Sequence, residues 1–100
     1  MQLYYRHFGE GKPLIILHGL FGQSDNWVTI GRHLSGRFSV YIPDLRNHGR
    51  SPHSAVHSYP ALADDLAGFI ETHAIEKPVL IGHSMGGKTA MTFALSHPEK

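Results

Sequence analysis

The sequence predicts an α/β protein in which a mostly parallel sheet carries helices on both faces. Three short runs are predicted to be strands: Leu14–Leu17, Phe38–Pro43 and Val79–Ile81. The first is continuously apolar, which is typical of a strand buried on both faces. Each run is followed by a loop and then by a segment with apolar residues at helical spacing. Such alternation indicates βαβ units with right-handed crossovers.

The first part of the chain is predicted to form two strands and a helix. A first strand is expected over Leu3–Phe8, followed by a turn at Gly9–Pro13 and then by the Leu14–Leu17 strand. Ser24 or Asp25 can cap a helix that runs to about Leu34. Its apolar residues at helical spacing are Trp27, Ile30 and Leu34.

The second part begins with a long polar loop, Asp44–His57, which leads into a helix capped by Ser58. Pro60 falls in the first turn, where its missing N–H costs little. The apolar stripe of this helix is predicted to be Leu62, Leu66, Phe69 and Ile70. Three acidic residues are expected on its solvated face, two of them favouring the positive helix start: Asp64, Asp65 and Glu71.

The last helix is expected to start at Met85 and to end near His97. It is apolar on most sides, which is typical of a buried central helix. The preceding strand, Val79–Ile81, is set off from the second helix by Pro78.

Composition excludes several classes of protein. The chain has 100 residues, 41% hydrophobic and 17% charged, which indicates at most one globular domain. The formal net charge is +1, and basic and acidic residues are interspersed, which does not indicate binding to nucleic acid or to a membrane surface. No apolar run is long enough to span a membrane. There is no cysteine, and the two histidines that are four positions apart, His53 and His57, lie in a Ser/Pro-rich loop and not on a helix, so we expect no metal. No secretory signal is visible, and a cytoplasmic protein is the default expectation.

The stretch Gly82-His83-Ser84-Met85-Gly86 is the strongest chemical signal. It lies between a strand and a helix, where Gly-x-Ser-x-Gly can form a nucleophile elbow with the serine at the top of the sheet. Gly82 and Gly86 let the neighbouring backbones approach closely, and the helix N-terminus faces the place where an oxyanion would form. The Gly-x-Ser-x-Gly pattern alone could also mark an ordinary serine in a turn. The strand before it and the helix after it favour a nucleophile.

Connectivity predicts where the site lies. The loops after Leu17, after Pro43 and after Ile81 all follow the carboxyl ends of strands. In open α/β sheets ligands bind at that edge, so these loops should converge on one site.

Together, three motifs resemble the α/β-hydrolase superfamily: His18–Gly22, Asp44–Pro52 and Gly82–Lys88. The Arg-Asn-His-Gly stretch in the second motif is similar to a subgroup of small esterases that act on carboxylic esters and acyl thioesters. The resemblance implies a cofactor-free serine hydrolase with a small-molecule substrate. It implies that the Asp and Arg of the second motif brace loops near the site.

The resemblance also assigns roles to individual residues. Ser84 matches the nucleophile, and the backbone N–H of Met85 matches one donor of the oxyanion hole. The second donor would come from Leu20 or Phe21. The side chains of Leu20, Phe21 and Met85 could also line an apolar acyl pocket. Residues implied to line or support the site are His18, Gly19, Gly82, His83 and Gly86.

A serine nucleophile needs a histidine base and an acid that orients it. The order in this superfamily is Ser, then acid, then His, and only His97 and Glu99 follow Ser84 here. His97 is thirteen positions on, about 20 Å along a helix, which is too far to reach Ser84. We therefore expect residues 1–100 to be the N-terminal portion of a single hydrolase domain, inactive alone, with strand Val79–Ile81 left at an exposed edge.

Other functions stay open from the sequence. C–C bond hydrolases, cofactor-free haloperoxidases and acyltransferases share the same elbow. A truncated, non-catalytic α/β module is an alternative of another class. A nucleotide-binding domain is disfavoured because the glycines of Gly82–Gly87 have neither the Gly-x-Gly-x-x-Gly spacing nor the P-loop spacing of phosphate-binding loops.

Overall fold

A computed structural model describes residues 2–19, 22–55 and 57–96. The strands are β1 (Tyr5–Phe8), β2 (Lys12–Leu17), β3 (Phe38–Pro43) and β4 (Val79–Gly82). A 3-10 turn (Ser24–Trp27) leads into α1 (Val28–Leu34), followed later by α2 (Tyr59–Thr72) and α3 (Met85–Ser96). The strand order is β1-β3-β2-β4, with β2 parallel to β3 and β4, and β1 antiparallel to β3. The predicted α/β fold class is confirmed.

Helices cover both faces of the sheet because successive side chains of β2 point to opposite faces. Leu14 and Ile16 join a cluster on the side of α1, which contributes Leu34. Ile15 and Leu17 join the larger cluster, which contains the buried apolar residues of α2 and Phe93 of α3. These four residues of β2 are at most 2% exposed, as expected of a central strand buried on both faces.

Strand β2 starts earlier than predicted. Lys12 and Pro13, expected in a turn, pair with Phe38 and Ser39 of β3. The pairing of β2 with β4 begins only at Leu14, so the missing N–H of Pro13 leaves no gap in a two-sided ladder.

The start of the first helix also differs from the prediction. Gln23, not Ser24 or Asp25, precedes the first turn, and its backbone N–H donates to Asn26 Oδ1 at 2.9 Å. Ile30 is 44% exposed, and Gly31 instead faces the sheet. A Cβ on Gly31 would lie 2.9 Å from Ile42 Cδ1, so α1 approaches the sheet through a residue without a side chain.

The predicted cap and apolar stripe of α2 are confirmed. Ser58 accepts a hydrogen bond from the Ala61 N–H at 3.3 Å, and Pro60 lies in the first turn. All four predicted stripe residues, Leu62, Leu66, Phe69 and Ile70, are buried.

The prediction that α3 is buried on most sides is wrong for the described structure. Its buried residues are Met85, Gly86, Thr89 and Phe93, whereas Met91 is 67% and Leu95 84% exposed. Only one face of α3 packs against β2, β4 and α2. None of the helices in the described ranges is long and apolar enough to cross a membrane.

Candidate active site

Ser84 lies on a sharp turn between β4 and α3. Its φ of 53° is in the left-handed region, which costs a residue with a Cβ about 1–2 kcal/mol. The turn is fixed on either side: the His83 N–H donates to Leu17 O at 3.0 Å, and the Gly86 N–H donates to His83 O at 2.9 Å. Ser84 is exposed. A strained serine held open at the end of a parallel strand is the geometry of a nucleophile elbow.

The two glycines of the motif permit this turn. A Cβ on Gly86 would lie 2.1 Å from Leu17 O and 2.6 Å from His18 O, both backbone atoms. A Cβ on Gly82 would lie 2.5 Å from the Gly86 carbonyl. Any side chain at either position would push α3 away from β2 and β4.

Met85 is the first residue of α3, so its backbone N–H has no acceptor inside the helix. Its side chain is 3% exposed and packs in the core, which fixes this N–H next to Ser84. A donor of this kind, held rigidly at a helix start, can stabilise negative charge on a substrate oxygen without reorganisation.

The loop after β2 meets the loop after β3 through His18, which is fully buried. The Leu45 N–H donates to His18 Nε2 at 2.9 Å, so the Nδ1–H donates to Gly19 O at 2.8 Å. Burial lowers the pKa of the His18 imidazole, in spite of the bond to Gly19. With both ring nitrogens bound to backbone, His18 joins the two loops and has no free nitrogen for proton transfer.

Gly19 connects the same loop to the elbow. A Cβ on Gly19 would lie 2.7 Å from His83 Nδ1, so the glycine allows the imidazole to pack against it. The His83 ring also lies 6.1 Å from the Trp27 ring. The three loops after β2, β3 and β4 therefore converge at one edge of the sheet, as the connectivity predicted.

The loop after β3 is held by Asp44, which is 1% exposed. Its carboxylate accepts hydrogen bonds from the backbone N–H groups of Ser24 and Arg50. Gly49, with φ of 51°, leaves room for the carboxylate, since a Cβ there would lie 2.3 Å from Asp44 Oδ2. Asp44 thus braces two loops.

One acidic residue of α2 is misplaced by the sequence prediction. Asp65 was expected on the solvated face but is 4% exposed, and its carboxylate pairs with Arg46 at 2.6 Å and 2.9 Å. Hydrogen bonding to Asp65 raises the pKa of the Arg46 guanidinium. Asp64 and Glu71 are exposed, and no acidic residue lies in the first turn of α2. The bidentate pair ties the loop after β3 to α2.

A cleft of about 640 Å³ opens beside Ser84. It is lined by Ser84, Met85 and Lys88 on one side and by the start of α2 with the residue before its cap on the other: His57, Ser58, Tyr59, Pro60 and Leu62. Sequence reasoning missed this second wall. The sequence indicated only that the cap of α2 ends the loop that follows β3. The contact of this segment with the cleft depends on how α2 packs on α3, which the sequence does not reveal.

His57 is a histidine in the same cleft as Ser84. Asn47 Oδ1 accepts the Ser54 N–H at 2.6 Å, which turns the Asn47 amide NH2 toward His57 Nδ1, 3.2 Å away. With Nδ1 accepting, the neutral ring carries its proton on Nε2. His57 is therefore arranged as a donor and not as the base for Ser84.

Four residues named from the sequence lie outside the described ranges: Leu20 and Phe21, expected at the oxyanion hole, and His97 and Glu99. Within the described ranges, no group of three or more His, Cys, Asp or Glu side chains is positioned to hold a metal ion.

The mostly parallel sheet, the strained serine and the helix start are together the features of α/β proteins that have a nucleophile elbow. The family model for the alpha/beta hydrolase fold matches residues 12–100. The chain belongs to the α/β-hydrolase family.

Three similar proteins illustrate this relationship. The chain is 50% identical over 98 residues to a probable alcohol acetyltransferase of Saccharomyces cerevisiae, covering 90% of this chain and 29% of that protein. It is 51% identical over 92 residues to the sn-1-specific diacylglycerol lipase ABHD11 of Xenopus laevis, covering 89% of this chain and 29% of that protein. A solved marine microorganism esterase superposes with a TM-score of 0.97 at 54% identity, over 99% of this chain and 38% of that one. The chain thus spans about three tenths of the length of the curated relatives it matches.

Proposed function

We propose that the whole protein is a serine hydrolase that cleaves carboxylic esters or acyl thioesters through an acyl-enzyme on Ser84. The observation that carries this proposal is the position of Ser84, exposed in a cleft, at φ of 53° and beside the first N–H of α3. Relatives named as esterase and lipase support it.

In the proposed reaction, Ser84 Oγ attacks the ester carbonyl and its proton passes to a base. The Met85 N–H, with a second donor from Leu20 or Phe21, stabilises the oxyanion that forms. Collapse expels the alcohol or thiol, which takes the proton from the base, and water then hydrolyses the acyl group from Ser84.

The base and its orienting acid are proposed to lie after residue 100, with residues 1–100 forming the first portion of one hydrolase domain. Two observations support this: His18 and His57 are held by other groups, and the relatives are more than three times as long as the aligned region. The cytoplasmic location and the activity on acyl thioesters stay predictions.

Labelling with a fluorophosphonate tests the nucleophile. We expect the whole protein to be labelled once per chain and to hydrolyse 4-nitrophenyl acetate. Ser84→Ala should lose both properties, while Ser96→Ala, at the far end of α3, should keep them. Turnover that survives Ser84→Ala would contradict the proposal.

Alcohol acyl transfer is a second candidate, favoured by the 50% identity to the probable alcohol acetyltransferase. The acyl-enzyme is the same, and an alcohol replaces water in its breakdown. Adding ethanol to an assay with 4-nitrophenyl acetate separates the two: ethyl acetate accumulates in a transferase, whereas acetate remains the product in a hydrolase.

A further inference from the structure

One side of the cleft beside Ser84 carries a positive charge. Lys88 lies one turn after Ser84 in α3, and its backbone N–H donates to Ser84 O at 3.0 Å. This bond places Lys88 one turn beyond Ser84, which itself lies just before the helix with φ of 53°. Both residues line the same cleft.

The Lys88 ammonium forms no salt bridge with any of the described residues. The residue is exposed, and in the described ranges no carboxylate lies within salt-bridge distance of its Nζ. Its one neighbour of note is the Tyr59 ring across the cleft, whose centroid is 5.8 Å from Nζ. A cation–π contact of this kind holds the ammonium over the cleft without neutralising it.

The rest of the cleft fits this charge. None of its eight lining residues is acidic, and three of them, Pro60, Leu62 and Met85, are apolar. Moreover, Lys88 is in the first turn of α3, where the helix dipole disfavours a cation. Helix stability therefore does not account for a lysine at this position.

We propose that Lys88 is a specificity-determining residue that binds an anionic group, such as a carboxylate, on the substrate of Ser84. The preferred esters then carry this group at the end of the cleft wall that runs from Ser84 to Lys88. This inference rests on the proposed function, since it assigns the substrate class of the same site.

The test compares pairs of esters that differ only in charge. On the acyl side, the mono-4-nitrophenyl ester of adipic acid is paired with the 4-nitrophenyl ester of adipamic acid. On the leaving-group side, 4-acetoxybenzoate is paired with 4-acetoxybenzamide. The quantity measured is the ratio of kcat/KM for the charged ester to that for the neutral ester.

We expect wild type to favour the charged member of at least one pair, and Lys88→Gln to lower that ratio by about three- to tenfold. Lys88→Arg should restore the ratio, Lys88→Glu should lower it further, and added salt should weaken the preference of wild type. Lys12→Gln, which removes an exposed lysine at the opposite end of β2, should leave the ratio unchanged.

Ratios that Lys88→Gln leaves unchanged in both pairs would overturn the inference while neutral esters are still cleaved. If no ester is cleaved, the proposed function fails, and binding of adipamate followed by calorimetry then tests the lysine alone. Binding weakened by Lys88→Gln but not by Lys12→Gln supports the inference; equal or absent binding in wild type and Lys88→Gln contradicts it.

Discussion

At the scale of single residues, the site is built from backbone conformations that side chains resist. Ser84 has φ of 53° although it carries a Cβ, and it is held there by hydrogen bonds of His83 and Gly86 to neighbouring carbonyls. Ser84 lines the cleft, and the strain of its backbone is balanced by the packing of α3 on the sheet.

This strain predicts a difference between two variants that both remove the hydroxyl. Ser84→Gly should be more stable than Ser84→Ala by about 1 kcal/mol, because only glycine adopts a positive φ without cost. The free energy of unfolding in urea measures the difference. Equal values for the two variants would mean that the turn carries no strain.

At the scale of elements, the approach of α3 to β2 decides where Ser84 and the Met85 N–H lie. The contact is made through Gly86, which sits directly against the carbonyls of Leu17 and His18. Here the glycine is needed for space, since its φ is not in the left-handed region.

Two helical glycines give a matched prediction for this contact. Gly86→Ala should destabilise the protein by about 1–3 kcal/mol and slow fluorophosphonate labelling, because its Cβ would meet Leu17 O at 2.1 Å. Gly68→Ala in α2 has no heavy atom within 4 Å of the new Cβ and should stabilise the protein by about 0.5–1 kcal/mol. Urea unfolding of both variants checks the opposite signs; a neutral Gly86→Ala would show that α3 can shift freely.

At the scale of the whole molecule, β4 is the last strand in the order β1-β3-β2-β4, and within residues 2–19, 22–55 and 57–96 it pairs on one side only. Its side chains remain accessible, with Val79 37% and Ile81 39% exposed, although both are apolar. An apolar edge strand is a site for pairing with other chains.

The 100-residue chain on its own should therefore self-associate at micromolar concentrations and hydrolyse no ester. Ile81→Lys should reduce the association, because a charge on an edge strand opposes pairing. Ile30→Lys is the control, since Ile30 is similarly exposed, at 44%, but lies on α1. Sedimentation velocity distinguishes them; equal effects of the two lysines would mean that general solubility, not the edge, controls association.

Much of this arrangement could be predicted without coordinates. Strand β3 and the cap and stripe of α2 follow from local rules of periodicity, capping and proline position. The elbow could be located because two glycines flank a serine between a strand and a helix, and the site edge because parallel strands place their carboxyl ends together.

Other features depended on contacts between distant segments. Helical periodicity placed Asp65 on the solvated face of α2. Its carboxylate is buried instead because it pairs with Arg46, which is nineteen positions earlier in the chain. Gly31, and not Ile30, faces the sheet, because α1 packs too closely on the sheet to leave room for a side chain there. The exposed face of α3 and the wall of the cleft formed by His57 and Tyr59 likewise follow from the way α2 and α3 meet.

The sequence by itself therefore determined the α/β class, the order of most elements and the serine at the strand–helix turn, because these depend on local backbone preferences and on the alternation of apolar residues. Only the tertiary structure decided the tautomers of His18 and His57, the burial of the Arg46–Asp65 pair and the position of Lys88 over the cleft. These features depend on hydrogen bonds and packing between segments far apart in the chain, for which a single sequence carries no local signal.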